Sequence, residues 1–174
     1  MIVNEKTLSE KNIYDGNIIK VKVQKVSLLE GKTGTREIVR HPGGVGILAF
    51  KDKNTILMVK QFRKPIEKAI YEIPAGKLEP NEDIEKSARR ELKEETGYTS
   101  NKFEYMGKIV SSPGFCDEYI HLFKAEELTP GETDFDDGEF IDLYEVSIDD
   151  AKKMVKDGEI IDAKTICALM MGEI

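Results

Sequence analysis

Tryptophan is absent from this chain of 174 residues, and cysteine and histidine occur only twice each. Cys116 and Cys167 lie far apart and neither belongs to a Cys-x-x-Cys pair, which favours two reduced thiols over a disulfide. No apolar run approaches the length of a membrane span, and residues 1–6 lack the profile of a signal peptide. These deficits predict a cytoplasmic protein with no membrane partner.

Positive charge is also in deficit. The 26 Lys and Arg residues face 33 Asp and Glu residues, so the net charge is -7 and the pI is about 5.1. This balance argues against nucleic acid and against an anionic membrane as partners. A phosphorylated substrate would have to bind a local cluster of Arg and Lys or a metal ion. The length allows one folded domain with a core and a cleft, and a second independent domain is not expected.

What the sequence does contain is a strong helical pattern between Gly76 and Tyr98. Asn81 is expected to cap the N terminus of this helix, and Gly97 is expected to take the left-handed conformation at its C terminus. An apolar stripe at helical spacing marks the side that faces the core. The stripe consists of Ile84, Ala88 and Leu92.

Two carboxylates of this helix, those of Glu91 and Glu95, fall within or beside the apolar stripe. Because unpaired buried anions are costly, each needs a cation, a metal ion or a water-filled cleft. Arg90 and Glu94 lie four residues apart and are expected to pair with each other. Oxygen ligands on a rigid helix suit Mg²⁺ or Mn²⁺. The alternative is a solvated helix whose acids pair with neighbouring Lys and Arg residues.

The rest of the chain alternates between strand patterns and turn residues. Residues 18–28 and 36–39 predict an N-terminal hairpin, whose exposed edges a second copy of the chain could cover. Pro113-Gly114 predicts a type II turn, and the acidic segment 126–139 predicts a loop. Further strands are expected at residues 45–50, 55–61, 102–109, 119–125 and 140–146.

Two more helices are expected near the C terminus. The first is capped by Ser147 and ends before Gly158, and the second begins at Asp162. The apolar residues of the second helix indicate core packing without chemistry. They are Ile166, Leu169 and Met170.

The central helix and the residues before it share a set of fixed spacings. The set comprises Gly76, Glu82, Arg90, Glu91, Leu92, Glu94, Glu95 and Gly97. It resembles the signature box of the Nudix hydrolases, with Tyr98 at a packing position where an aliphatic residue is usual. The resemblance implies an α/β protein of the α+β type with the Nudix fold, in which helices sandwich a mixed β-sheet. Residues 41–174 would form this domain, and residues 1–40 would form a strand extension that mediates a homodimer.

More of the chain is similar to bacterial ADP-ribose pyrophosphatases, including a proline, Pro113, sixteen residues after Gly97. The resemblance implies hydrolysis of the diphosphate bond of ADP-ribose to AMP and ribose 5-phosphate with Mg²⁺ or Mn²⁺. One alternative is another nucleoside diphosphate-linked substrate, such as a GDP-sugar, NADH or FAD. The other is a module that binds a nucleotide without cleaving it. The similar segments are residues 36–39, 41–43, 61–63, 71–79, 112–118 and 162–165.

The same resemblance assigns roles to individual residues. The metal ligands would be the carbonyl of Ala75 and the carboxylates of Glu91 and Glu95. Arg90 would orient Glu94, and both count with Glu95 among the catalytic residues.

A carboxylate of the acidic loop would activate water in such enzymes. Glu139 is chosen for this role, with Asp137 as the alternative. The substrate would bind through residues outside the helix. They are Arg36 and Arg63 at the diphosphate or terminal ribose, Glu72 near the adenine or the metal, and Pro113.

Overall fold

The computed structural model describes residues 4–135 and 140–174 of the chain. They form two compact units, the first made of residues up to Gly43 together with 110–119, and the second made of 44–109 and 120–174. Cys116 and Cys167 are free thiols, as predicted. Within the described residues, no helix is long and apolar enough to cross a membrane.

The first unit contains an antiparallel sheet of three strands. These are β1 (Thr7–Asp15), β2 (Lys20–Ser27) and β3 (Thr33–Arg40), in the order β1-β2-β3. The predicted hairpin corresponds to β2 and β3 and is confirmed. β1 is not predicted by the sequence, because all nine of its residues are exposed. Such a strand lacks the alternation of apolar and polar residues that marks a half-buried strand.

The turn at residues 112–116 of the first unit differs from the prediction. The backbone N–H groups of Phe115 and Cys116 both donate to the carbonyl of Ser112, at 3.1 and 2.9 Å. A type II turn needs a positive φ at Gly114, and Gly114 does not adopt one. The prediction of a type II turn is therefore wrong, and the segment forms a single helical turn instead.

The second unit is a mixed sheet flanked by helices. Its strands are β4 (Gly44–Phe50), β5 (Thr55–Arg63), β6 (Lys68–Glu72), β7 (Ala75–Lys77), β8 (Thr99–Val110), β9 (Tyr119–Thr129) and β10 (Ile141–Ser147), and its helices are α1 (Ile84–Thr96), α2 (Ile148–Lys156) and α3 (Ala163–Met171). The main strand order is β10-β5-β4-β9-β8, with β6 beside β5 and β7 beside β4. β4 runs parallel to β9 and antiparallel to β5 and β7. It therefore forms the centre of the sheet.

Helices cover both faces of this sheet. Val45 and Ile47 of β4 pack with Leu92 of α1 in one buried cluster. Leu48, which alternates with them, packs on the other face with Leu169 of α3. Strands buried on both faces read as continuous apolar runs, as residues 45–49 do. The predicted fold class, a mixed sheet between helices, is confirmed.

β9 extends further than the sequence predicts. Residues 126–129 belong to the strand and not to the acidic loop in which the composition places them. Lys102 and Lys124 contact the carboxylate of Glu126, the second at 3.0 Å. The hydroxyl of Ser100 also donates to the Glu126 carbonyl at 2.6 Å. The acidic composition of this segment predicts a loop. It does not reveal that Lys102 and Lys124 neutralise Glu126 and allow the strand to continue.

α3 begins after its predicted cap, Asp162, whose carboxylate accepts the N–H of Thr165 at 3.0 Å. Leu169 is buried as expected, but Met170 is 78% exposed, so its assignment to the core is wrong. Lys164 and Thr165 are buried in its place on the inner side of the helix. The helix therefore carries polar groups into the second unit as well as apolar ones.

The N terminus of α1 is capped by Asp83 and not by Asn81. The Asp83 carboxylate accepts the N–H groups of Glu85 and Lys86, both at 3.1 Å. Asn81 has a φ of 64°, whereas a capping residue needs an extended backbone. The prediction of Asn81 as the cap is therefore wrong by two residues. At the other end, Gly97 takes the predicted left-handed conformation with a φ of 74°.

Asp83→Ala is expected to lower the free energy of unfolding by about 1 kcal/mol, because two N–H groups of the first helical turn lose their acceptor. Asn81→Gly is the control. It is expected to stay within about 0.5 kcal/mol of the wild type, since glycine adopts a positive φ freely. Urea denaturation measures both values. A larger loss for Asn81→Gly than for Asp83→Ala would contradict this assignment of the cap.

Candidate active site

The C-terminal half of α1 lies against the start of β7. The N–H of Ala75 donates to Oε2 of Glu95 at 2.9 Å, and Glu95 is only 2% exposed. The carboxyl group of Glu91 lies directly against Gly76, where an added Cβ would fall 1.9 Å from Cδ of Glu91. Only glycine leaves room for this carboxylate. Both carboxylates therefore adjoin the Ala75–Gly76 peptide.

Arg90 contacts three carboxylates, two on the outer side of α1 and one on its inner side. Its Nε and Nη2 each lie 3.1 Å from an oxygen of Glu82. Its Nη1 lies 2.7 Å from Oε2 of Glu94 and 2.8 Å from Oε1 of Glu91. The predicted pair between Arg90 and Glu94 is present. The guanidinium also contacts Glu91, so it connects the outer acids to the inner site.

These contacts stabilise the charged forms of the groups. Hydrogen bonds from Arg90 are the main reason that the pKa of Glu82 falls to about 2. The same bonds raise the pKa of Arg90 above its ordinary value. Three carboxylates share one guanidinium, so an excess of negative charge remains at this end of the site. Such an excess attracts cations.

A second ionic group lies at the end of β6. Glu72 is 1% exposed and accepts two hydrogen bonds from Arg63, at 2.6 and 2.7 Å. Lys164 of α3 contacts the same carboxylate. Lys164 also lies 3.1 Å from Oδ2 of Asp162. Each buried charge therefore has a partner of opposite sign, as burial requires.

Glu72 is ionised at neutral pH in this arrangement. Burial opposes ionisation, but the hydrogen bonds and charges of Arg63 and Lys164 outweigh it and lower the pKa of Glu72 below its ordinary value of 4.5. Hydrogen bonds with Glu72 in turn raise the pKa of Arg63. A lowered carboxyl pKa stabilises the fold above about pH 4.5, and this contribution is lost as the pH falls through the folded-state value.

Three of the expected site residues lie elsewhere, two of them in the first unit and one outside the described residues. Arg36 lies on β3 in the first unit, where its Nε donates to Glu5 at 2.9 Å. Pro113 is exposed in the helical turn of the first unit. Glu139 and its alternative Asp137 lie outside the described residues.

The sequence pattern does not predict the contact between Lys164 and Glu72. The available signal is that Lys164 and Ala168, four residues apart, lie on the same buried side of α3. A lysine within an apolar stripe indicates an inward-facing cation that needs an anionic partner. The partner itself could not be named, since Glu72 is 92 residues away in the chain.

Two features define the class of protein. The fold is a mixed sheet between helices, and the helix α1 carries a cluster of carboxylates. The family model of the NUDIX domain matches residues 40–169. Because this match spans most of the chain, the protein belongs to the Nudix family of hydrolases. The division into an extension, 1–40, and a domain, 41–174, stays a prediction.

Individual relatives are similar over nearly the whole chain. A Bacillus subtilis protein named ADP-ribose pyrophosphatase is 48% identical over 96% of this chain and 91% of its own length. A Bacillus methanolicus protein named methanol dehydrogenase activator is 46% identical over 97% of this chain and 92% of its own. A crystal structure of an ADP compounds hydrolase superposes with a TM-score of 0.87 at 17% identity, covering 99% of this chain and 94% of that one. This last likeness shows the fold alone.

Nudix hydrolases need a divalent metal ion, and the donors at this site fit one. Glu91 and Glu95 offer carboxylate oxygens next to the Ala75–Gly76 peptide, and hard divalent cations prefer oxygen. Across residues 4–135 and 140–174, no three Asp, Glu, His or Cys side chains are gathered closely enough to hold an ion by themselves. Two carboxylates need further oxygens from the backbone, water or substrate to complete a coordination shell.

Proposed function

We propose that this Nudix hydrolase cleaves the diphosphate bond of ADP-ribose and releases AMP and ribose 5-phosphate. The observation that carries the proposal is the pair of carboxylates, Glu91 and Glu95, held against the Ala75–Gly76 peptide, which supports metal-assisted hydrolysis. The 48% identity to an ADP-ribose pyrophosphatase over nearly the whole chain supports ADP-ribose as the substrate.

A relative of nearly equal identity is named methanol dehydrogenase activator, so identity alone supports more than one description. The two alternatives are a module that binds a nucleotide without cleaving it and an enzyme for another substrate. A module that only binds a nucleotide has no need of inward-facing carboxylates, whose burial is costly, and the site therefore favours an enzyme. Another diphosphate-linked substrate, such as a GDP-sugar, NADH or FAD, would use the same machinery, because selectivity depends on the shape of the pocket.

Glu91, Glu95 and the carbonyl of Ala75 would hold Mg²⁺, or Mn²⁺ in its place. When bound, such an ion supplies Lewis acidity at the diphosphate and lowers the pKa of a bound water. Arg90 keeps Glu91 and Glu94 in position and offsets part of their negative charge. Arg90 thus holds Glu91, and the N–H of Ala75 holds Glu95, so both inner carboxylates are in position before the substrate arrives. This lowers the cost of reorganisation during the reaction.

Other side chains bind the substrate and move the proton. Arg63 donates to the diphosphate, for which the planar guanidinium is suited, and Glu72 holds that guanidinium in orientation. Arg36 and Pro113, both in the first unit, stay predictions from the sequence resemblance. Glu139, or Asp137 as the alternative, would accept a proton from the attacking water. Positioning and electrostatic stabilisation account for the reaction, and no covalent enzyme intermediate is expected. The proposed substrate is a small nucleoside diphosphate sugar, and neither nucleic acid nor a membrane is proposed as a partner. The cytoplasmic location stays a prediction.

Steady-state hydrolysis of ADP-ribose, GDP-mannose, NADH and ATP with Mg²⁺ tests the substrate. ADP-ribose is expected to lead in kcat/KM by at least about tenfold and to give AMP on a chromatogram. Removing the metal with a chelator is expected to stop the reaction. A different leading compound would overturn the choice of substrate, and binding of ADP-ribose without cleavage would favour the nucleotide-binding module.

Gly76→Ala tests the position of Glu91. The new methyl group would occupy the place of the Glu91 carboxylate, so kcat/KM is expected to fall by about 100-fold with the fold intact. Glu91→Ala supplies the control, because it removes the group that clashes. In that background, Gly76→Ala is expected to change kcat/KM by less than about twofold. Equal losses in the two backgrounds would mean that the glycine acts in another way.

The expected homodimer has a candidate surface on β1. This edge strand exposes Leu8, Ile13 and Tyr14 by 50%, 54% and 56%, and an unpaired apolar edge invites association. Light scattering is expected to give twice the chain mass of 19.7 kDa. Ile13→Lys is expected to shift the protein toward the monomer, whereas Leu29→Lys, outside the strands, is not. A monomeric wild type would contradict the dimer.

A further inference from the structure

The first turn of α3 reaches the strand that leads into the candidate active site. Nζ of Lys164 contacts the carboxylate of Glu72 and lies 3.1 Å from Asp162. The hydroxyl of Thr165 accepts the backbone N–H of Ile73 at 2.9 Å. Lys164 and Thr165 are 8% and 0% exposed, so both contacts are shielded from water. Shielded polar contacts are strong, and losing one partner is costly.

Lys164 changes the way in which Glu72 acts on Arg63. Arg63 donates to both oxygens of Glu72, and one of these oxygens is shared with Lys164. One buried carboxylate therefore faces two cations. It fixes the direction of the Arg63 guanidinium while Lys164 offsets part of the negative charge. If Lys164 were lost, Arg63 would face two carboxylates, those of Glu72 and Asp162, and the excess negative charge would oppose an anionic ligand.

Thr165 acts on the backbone. Its hydroxyl donates to Asp162 at 2.6 Å, which fixes its orientation and leaves its lone pairs directed at Ile73. The next residue, Pro74, has a restricted φ, so the segment is stiff. The residue after it is Ala75, whose N–H binds a carboxylate of α1. A displacement at Ile73 is therefore passed to the site where that carboxylate is held.

We propose that Lys164 and Thr165 are positioning residues of the active site, Lys164 for substrate binding through Arg63 and Thr165 for turnover through the Ile73–Ala75 segment. This inference rests on the proposed function, which assigns Arg63 to the diphosphate and Ala75 to the metal. Because the two residues act on different elements, they are expected to leave different kinetic signatures.

Lys164→Met is expected to raise KM for ADP-ribose about tenfold and to change kcat by less than about threefold, because the effect falls on substrate binding. Adding Glu72→Gln removes one of the two carboxylates and is expected to recover part of the affinity that Lys164→Met loses. Lys153→Met, which removes an exposed lysine of α2, is the matched control and is expected to keep the wild-type values. A double variant no better than Lys164→Met would overturn the assignment.

A buried methionine in place of Lys164 could prevent folding, and a second comparison covers that case. In the double variant Glu72→Gln/Lys164→Met both charges of the buried pair are absent, and such neutral replacements are well tolerated. Its KM is expected to match that of the Glu72→Gln background alone. A further rise in KM in this background would show that Lys164 does not act through Glu72.

Thr165→Val replaces the hydroxyl with a methyl group of similar size. It is expected to lower kcat by about tenfold or more with KM within about threefold of the wild type. Thr165→Ser retains the hydroxyl and is expected to restore kcat. In the metal-free protein, hydrogen exchange of the Ile73 amide is expected to accelerate in the valine variant and not in the serine variant. Unchanged exchange in a folded Thr165→Val protein would overturn the role of Thr165.

The exchange measurement separates this inference from the proposed function. If the wild type cleaves a different diphosphate-linked compound, the choice of ADP-ribose fails, and the same variants are assayed on that compound. If the exchange and rescue patterns fail while ADP-ribose is hydrolysed, the positioning roles fail and the proposed function stands.

Discussion

The close approach of α1 to the Ala75–Gly76 peptide is the constraint on which the second unit depends. Leu92 of this helix is fully buried against the central strand, and that burial holds the helix near the sheet. The same approach turns Glu91 and Glu95 inward, where ionised groups need partners. The N–H of Ala75 is the partner of Glu95 and the guanidinium of Arg90 is the partner of Glu91, for which Gly76 leaves room. Apolar packing therefore offsets the cost of keeping acids inside.

The peptide that carries the site is held from both faces of the sheet. On one face, α1 contacts it through the carboxylates of the box. On the other face, Ile73 is buried with Leu48 and Leu169, and the first turn of α3 binds its N–H. β4 lies between these layers, and its Ile47 N–H donates to the Pro74 carbonyl at 2.8 Å. A peptide supported from both faces is held in one geometry by the protein itself, which favours a preorganised site.

Local spacing was sufficient for much of this arrangement. The helix and the inward direction of its carboxylates depend on a period of about 3.6 residues, which is visible in a single sequence. Its left-handed end depends on a glycine, Gly97, which is equally visible. The apolar run of β4 indicates a strand covered on both faces for a similar reason. Wrong predictions arose where several polar residues compete for one role, as Asn81 and Asp83 do for the cap. An exposed strand such as β1 leaves no periodic signal at all.

The ion pairs between distant residues could not be predicted in the same way. Periodicity indicates that a carboxylate faces inward, but the cation that it meets depends on the path of the chain. Arg90 contacts Glu82, which precedes the helix and is oriented by the turn at Asn81, in addition to the predicted Glu94. Glu72 meets Lys164 across 92 residues because β6 and α3 come together in the folded unit. The local pattern thus predicts the inward-facing carboxylates of α1, whereas packing between distant elements decides which groups Glu72 and Glu82 contact, since no local spacing records a long-range contact.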